Sequence, residues 1–294
     1  VQPTTGYGRP KIHLVEPNST EGSDMRVLDN GVSNVLTAGG DMLRIVGENF
    51  GSRIEYLDGL WYGCNGLQTY SMYDCITEIP HKQILCRTAA GVGTNLQFSI
   101  QVGGQMQDYS NADLIPKLSY ARPFLETLSR NGDREHPFLG GTTYGQYSFR
   151  IEGKYFGTQG GSFSPISRGN IFIVFGRDEP ILVKPKDVLV SNINREVLIF
   201  EVPEGQGERL EVKVKHVPTG ASLAETSKCT QESSPLFYKY KLPLISRIKA
   251  VPARNKSLNG AFLVQLSIYG ENVLDSGIFP NPEGIWDNGG SFGK

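Results

Sequence analysis

The residues 36–51 read LTAGGDMLRIVGENFG, and the same pattern returns twice, as YGQYSFRIEGKYFG around Gly153 and GAFLVQLSIYGENVL around Gly270. Gly47, Gly153 and Gly270 are one repeated position. Two residues before it stand Ile45, Ile151 and Ile268, and four before it stand Leu43, Phe149 and Leu266. The residues between are mostly polar. Period-two alternation of this kind specifies a strand with one face in a core and the other in water. A glycine closing such a strand marks a backbone conformation or a close approach that a side chain would forbid. The chain is therefore a repeat of β units.

The rest of the repeat follows the same frame. A proline opens a short apolar strand at Pro10 (PKIHLVEP), Pro123 (PFLETLSR) and Pro243 (PLISRIKAV), starts that lie 113 and 120 residues apart. That is a domain-sized period, far longer than a solenoid repeat. Middle strands are expected at 60–63 and 171–176. Later, Leu96, Phe98 and Ile100 align with Leu210, Val212 and Val214 after the turns Gly91-x-Gly93 and Gly205-x-Gly207. Gly-x-Gly between two alternating runs predicts a hairpin. No helix follows these glycines, which argues against a phosphate-cradling loop. The expected organisation is a linker at 1–9, sandwich domains at 10–119 and 120–240, and the opening of a third at 241–294. The joints at 121–122 and 239–242 are short, which points to a stiff rod.

Composition narrows the class. The 35 glycines and 17 prolines in 294 residues suit many short strands joined by turns. The net charge is −1 with both signs interspersed, so no basic block is available to neutralise phosphates, and nucleic acid is not an expected partner. No run approaches the ~18 apolar residues of a membrane span. The sequence starts at Val1 without a visible signal peptide, which is expected of a processed chain or an excerpt of a longer one.

Pro-x-Ile-x-x-Val, Gly39-Gly40, the alternating strand, Gly47-x-Asn49-Phe50-Gly51 and the later Gly-x-Gly together resemble the IPT/TIG immunoglobulin-like domain. In the second copy Tyr155 replaces the asparagine while Phe156 and Gly157 remain. In the third, Val273 and Leu274 replace Phe-Gly. The resemblance implies an all-β fold of tandem early-set immunoglobulin-like β-sandwiches. In tandem arrays such domains are similar to the ectodomains of plexins and of fibrocystin-like surface proteins. The motif specifies fold far better than function.

Four cysteines occur: Cys64, Cys75, Cys86 and Cys229. The resemblance implies a Cys75–Cys86 disulfide, similar to the cysteine pair of extracellular members of the family. Cys64–Cys86 is the alternative, because Cys64 follows the middle strand. Cys229 is then left to pair with the remaining cysteine, with another chain, or with nothing, and sequence does not choose. Crowding of three cysteines in one copy favours disulfides over buried thiols. Two glycosylation sequons, at Asn18 and Asn255, follow the opening strands of copies one and three and place glycans on equivalent loops.

Catalytic signals are lacking. His13, His81, His136 and His216 show no paired spacing and read as isolated surface residues on loops or strand edges. No nucleophile elbow or metalloprotease motif occurs, and no cofactor, metal or catalytic residue is expected. Trp61, Tyr62, Tyr70 and Tyr73 could form an aromatic carbohydrate platform. Trp61 and Tyr62 are adjacent, however, so one of them faces the core.

In the third copy, Phe262, Val264, Leu266 and Ile268 form an apolar stripe with few expected sheet partners, a liability for aggregation. Either the chain continues beyond Lys294, or a neighbouring subunit completes the sandwich by strand addition and so builds a head-to-tail polymer. The expected function is a non-enzymatic extracellular structural protein, a subunit of a fibre, filament or cell-surface stalk, with copies of itself as partners. The alternative is a ligand- or receptor-binding ectodomain. An accessory domain of a starch-acting enzyme and a Rel-like DNA-binding domain are further possibilities, the last opposed by the balanced charge.

Overall fold

The computed structural model of the chain describes residues 7–18, 24–109, 112–130, 140–145, 147–157, 171–176, 181–192, 195–218, 228–252, 264–271 and 285–286. The first repeat contributes β1 (Lys11–Pro17), β2 (Arg26–Leu28), β3 (Gly31–Val35), β4 (Met42–Glu48), β5 (Leu57–Gly63), β6 (Tyr70–Ser71), β7 (Tyr73–Ile79), β8 (Gln83–Arg87), β9 (Leu96–Val102), β10 (Gln105–Met106) and β11 (Lys117–Tyr120). One sheet has the order β1-β4-β8-β7. The other has β2-β3-β11-β9-β5-β6, with β10 added to β9. Alternation decides which side chains turn inward. Ile12, Val15, Leu43, Ile45, Ile84 and Cys86 of the first sheet meet Val32, Leu60, Tyr62, Leu96, Phe98 and Ile100 of the second in one buried cluster. Each large apolar side chain so buried stabilises the fold by roughly 1.5–3 kcal/mol. The last strand ends at Tyr120, one residue past the boundary expected from sequence.

The second repeat follows with β12 (Phe124–Arg130), β13 (Ser148–Lys154), β14 (Ile171–Phe175), β15 (Ile181–Val183), β16 (Asp187–Asn192), β17 (Arg195–Glu201), β18 (Leu210–His216), β19 (Gln231–Glu232) and β20 (Leu236–Tyr238). Its sheets are β12-β13-β17-β16 and β15-β14-β18-β19, with β20 also on β18. Phe149, Ile151, Leu198 and Phe200 pack against Ile171, Ile173, Val212 and Val214. The third repeat supplies β21 (Leu244–Pro252), β22 (Val264–Glu271) and β23 (Ile285–Trp286) in the order β21-β22-β23.

One irregularity is common to all three repeats. Ile12, Leu125 and Ile245 pair with the repeated Gly47, Gly153 and Gly270, and in each case the register then slips by one residue of the opening strand. A bulge in the same place three times shows the repeats to be structurally equivalent. The glycine is needed there. A Cβ on Gly47 would lie 2.0 Å from the Lys11 carbonyl oxygen and 2.5 Å from Phe50 Cζ; on Gly153 it would lie 2.0 Å from the Phe124 oxygen and 2.7 Å from Phe156 Cζ. The next turn is also alike: Asn49 and Tyr155 both adopt left-handed backbone, with φ of 61° and 63°.

Three expectations are corrected. The Gly-x-Gly segments are not hairpin turns, because β8 and β9 belong to different sheets, as do β17 and β18. Each segment crosses from one layer of the sandwich to the other. Tyr62 and Tyr70 are buried, so they cannot join a surface aromatic platform. His216 is not a surface residue. It is fully buried, and desolvation pushes its pKa down to about 3, against smaller upward effects of the Gln231 side chain and the Phe156 backbone.

Candidate functional site at the joint between the sandwiches

The crossing segment 88–95 of the first sandwich is shaped from within. Tyr62 on β5, Tyr70 on β6 and Tyr120 on β11 reach it from the opposite sheet. The Ala89 amide donates to Tyr62 Oη (3.0 Å), the two phenol oxygens share a hydrogen bond of 2.6 Å, and Tyr120 donates to the Ala89 carbonyl (2.8 Å). Tyr70 donates to the Val92 carbonyl at 3.0 Å. Burial raises the pKa of both Tyr62 and Tyr120, so all these protons stay in place. Gly91 has no room for a side chain, since a Cβ there would lie 2.6 Å from both Tyr120 Oη and Tyr70 Cε1.

The tip of this segment is held against the second sandwich. The Thr94 amide donates to the Cys229 carbonyl (2.9 Å), Asn95 Nδ2 to the Lys228 carbonyl (3.3 Å), and Gln231 Nε2 to the Tyr120 carbonyl (2.9 Å). Gly93, with φ of +116°, faces Pro218 and Cys229 so closely that a Cβ would lie 2.6 Å from Pro218 Cγ. On the neighbouring flank Gly157 abuts Val92. The chain passes between the sandwiches without slack. Ala121 is buried, and its amide donates to the Val35 carbonyl at 2.7 Å.

A disulfide closes the joint. Cys64, directly after β5, is bonded to Cys229 across a sequence separation of 165 with Cα atoms 5.8 Å apart, and both cysteines are buried in the first sandwich's core. Cys75 and Cys86 form the second disulfide, at a separation of 11. Cys75 sits where β7 bulges opposite β8. The alternative Cys64–Cys86 pairing is excluded by these partners, and no cysteine remains free among the described residues. The two bonds fit folding in an oxidising environment. The signal for the long bond was weak in sequence, because its two cysteines belong to different repeats.

The other predicted residues fall elsewhere. Asn18 is exposed just after β1. Its amide donates to the Met42 carbonyl, and its Oδ1 accepts from Arg44 Nη2 at 3.0 Å. Arg44 also bonds Glu16 (3.2 Å) and Glu78 (2.8 Å), which keep the guanidinium charged. Asn255 and Phe262 lie outside the described residues. Val264, Leu266 and Ile268 lie at alternate positions of β22, opposite Pro252, Ala250 and Ile248. Strand β22 has β21 along one side and β23 on the other at Ile268 and Tyr269. On β21, Leu244, Ile245 and Ile248 are exposed. Ile245 and Ile248 are 55% and 59% exposed, whereas Ile12 and Val15, at the same positions of the first repeat, are 3% and 0% exposed.

Among the described residues no group of three His, Cys, Asp or Glu side chains is placed to hold a metal ion, and no helix is long and apolar enough to cross a membrane. His13 pairs with Glu48 at 2.6 Å on the open face of the first sheet. Comparison with known proteins finds no family model and no curated protein that matches the chain.

Proposed function

We propose that the chain is a non-enzymatic extracellular structural protein, a subunit of a fibre, filament or cell-surface stalk built from tandem IPT/TIG-type immunoglobulin-like sandwiches. The observation that carries this reading is the exposure of Ile245 and Ile248, two apolar residues at positions that the first repeat buries between its sheets. A neighbouring copy that lays a sheet over this face completes a third sandwich and joins subunits head to tail. The clamped joint gives the rod stiffness that a stalk needs. The disulfides and the exposed Asn18 suit an extracellular glycoprotein, with Asn255 as a second attachment point.

The test is light scattering over a concentration series, with negative-stain microscopy, on the native chain and on Ile245→Asp/Ile248→Asp. Assembly that grows with concentration and is lost in the double variant is the expected result. A native chain that stays monomeric, or a variant that assembles equally well, overturns the reading. A receptor-binding ectodomain is the second reading. It is favoured by β7, an edge strand with exposed Tyr73, Ile76 and Ile79 beside its free backbone edge.

A further inference from the structure

The Cys64–Cys229 bond does more than hold two sandwiches together. Its two ends lie 165 residues apart in the chain, and everything between them hangs from the bond as a closed loop. That loop contains β6 to β11 of the first sandwich and β12 to β18 of the second. We infer that the bond is a force bypass: tension applied along the chain passes from residue 64 to residue 229 through sulfur, and the residues between carry no covalent load. The inference concerns a single chain and stands whether or not copies assemble.

The consequences follow from connectivity. Only β1 to β5 and the segment from β19 onward lie on the load path. Under tension β19 and β20 can be drawn off β18, with which they pair at Lys215–His216 and at Leu210–Val212. The remaining strands of the second sandwich, β12-β13-β17-β16 and β15-β14-β18, stay unpulled. The Cys75–Cys86 bond lies wholly inside the bypassed loop, so it limits extension only once the long bond is gone. Burial of both Cys64 and Cys229 shields the clamp from reductant while the joint is closed. A module wired this way yields a little under load and then stops, keeping most of its folded structure to rebuild from.

Force spectroscopy on the full chain, held by handles at its two termini, tests this. At ~3.3–3.6 Å per extended residue, the separation of 165 withholds about 55 nm of contour length in the oxidised protein. Cys64→Ala/Cys229→Ala is expected to release about 51 nm, because the nested Cys75–Cys86 loop stays closed, and Cys75→Ala/Cys86→Ala to leave the oxidised extension unchanged. Adding reductant to the native chain should release the full ~55 nm, about 4 nm of it from the nested loop of 11. A second arm needs no cysteine replacement. A protease site inserted between Gly103 and Gly104, an exposed turn with nothing within 4 Å of either added Cβ, cuts the chain inside the bypassed loop. The cut, oxidised protein should still transmit tension between its termini, and should part on reduction. Full extension of the oxidised native chain, or parting of the cut oxidised chain under low load, overturns the inference.

Discussion

Lowering the pH should destabilise the second sandwich through one buried side chain, His216. Strand β18 carries Val212, Val214 and His216 on one face, and the imidazole is fully buried opposite Ile171 and Gln231 in the sheet. Its pKa in the folded protein is pushed down to about 3, chiefly by burial, from the ordinary 6.5. The folded value lies below the unfolded one, so the unfolded chain binds a proton first. Stability is therefore complete above about pH 6.5, falls as pH drops from there towards 3, and is flat in this respect below 3. At 1.36 kcal/mol for each pH unit, the loss is about 2 kcal/mol by pH 5 and about 5 kcal/mol by pH 3. Against a typical domain stability of ~5–15 kcal/mol, the first figure is readily measured. The assay is urea unfolding followed by circular dichroism at pH 7 and pH 5, for the native chain and for His216→Phe. Carboxylates titrate alike in both proteins, so the comparison isolates the imidazole. The native chain should lose about 2 kcal/mol more than the variant between the two pH values. Equal losses would refute the argument, whatever the absolute stability of the variant.

Two further outcomes follow from the repeat. Gly47→Ala and Gly153→Ala each drive a methyl group into a carbonyl oxygen of the opening strand and should each destabilise by at least ~1–3 kcal/mol, seen as a lowered thermal midpoint; a neutral result would mean that the bulge gives way freely. Tyr120→Phe removes the nearer of two phenol donors to the Ala89 carbonyl (2.8 Å, against 3.3 Å from Tyr62) and should cost about 0.5–1.5 kcal/mol, with faster hydrogen exchange at the Ala89 and Gly91 amides. Unchanged exchange there would show that the crossing segment does not depend on the tyrosine.

The sandwich class was legible in the sequence because period-two alternation ending in a fixed glycine leaves few other solutions. Ile45, Ile151 and the aligned series Leu96/Leu210 to Ile100/Val214 all lie on the strands expected of them. His216 continues the buried series Val212, Val214 at the same spacing, so its burial is written in the strand period although an imidazole is a polar side chain. The crossing of Gly91-x-Gly93 between sheets was not legible, since a tight glycine turn looks the same whether it returns to its own sheet or passes to the next. What decides it is a set of tyrosines 22 to 31 residues away, visible only once the layers are stacked. The Cys64–Cys229 bond was hidden for a related reason. It depends on how two repeats abut, and alternation within a repeat carries no information about that.

The joint itself is an adaptation of a part that each sandwich makes for internal reasons. In the second repeat Tyr240 donates to the Pro203 carbonyl as Tyr120 does to that of Ala89. The Gly205 amide donates to Thr143 as that of Gly91 does to Thr37, and the Tyr240 amide to Gly207 as that of Tyr120 does to Gly93. Gly93 and Gly207 share nearly the same backbone, with φ of 116° and 114°. Their surroundings differ. A Cβ on Gly93 meets Pro218 and Cys229 of the next sandwich, whereas on Gly207 it meets, among the described residues, only Leu210 of its own. The crossing segment is therefore shaped before anything docks on it, by the glycines and the tyrosine that tie the two sheets together. Docking then costs less ordering entropy on the side of the crossing segment, which its own sandwich already holds in shape. The disulfide adds permanence to a contact whose form was set by the core of a single repeat.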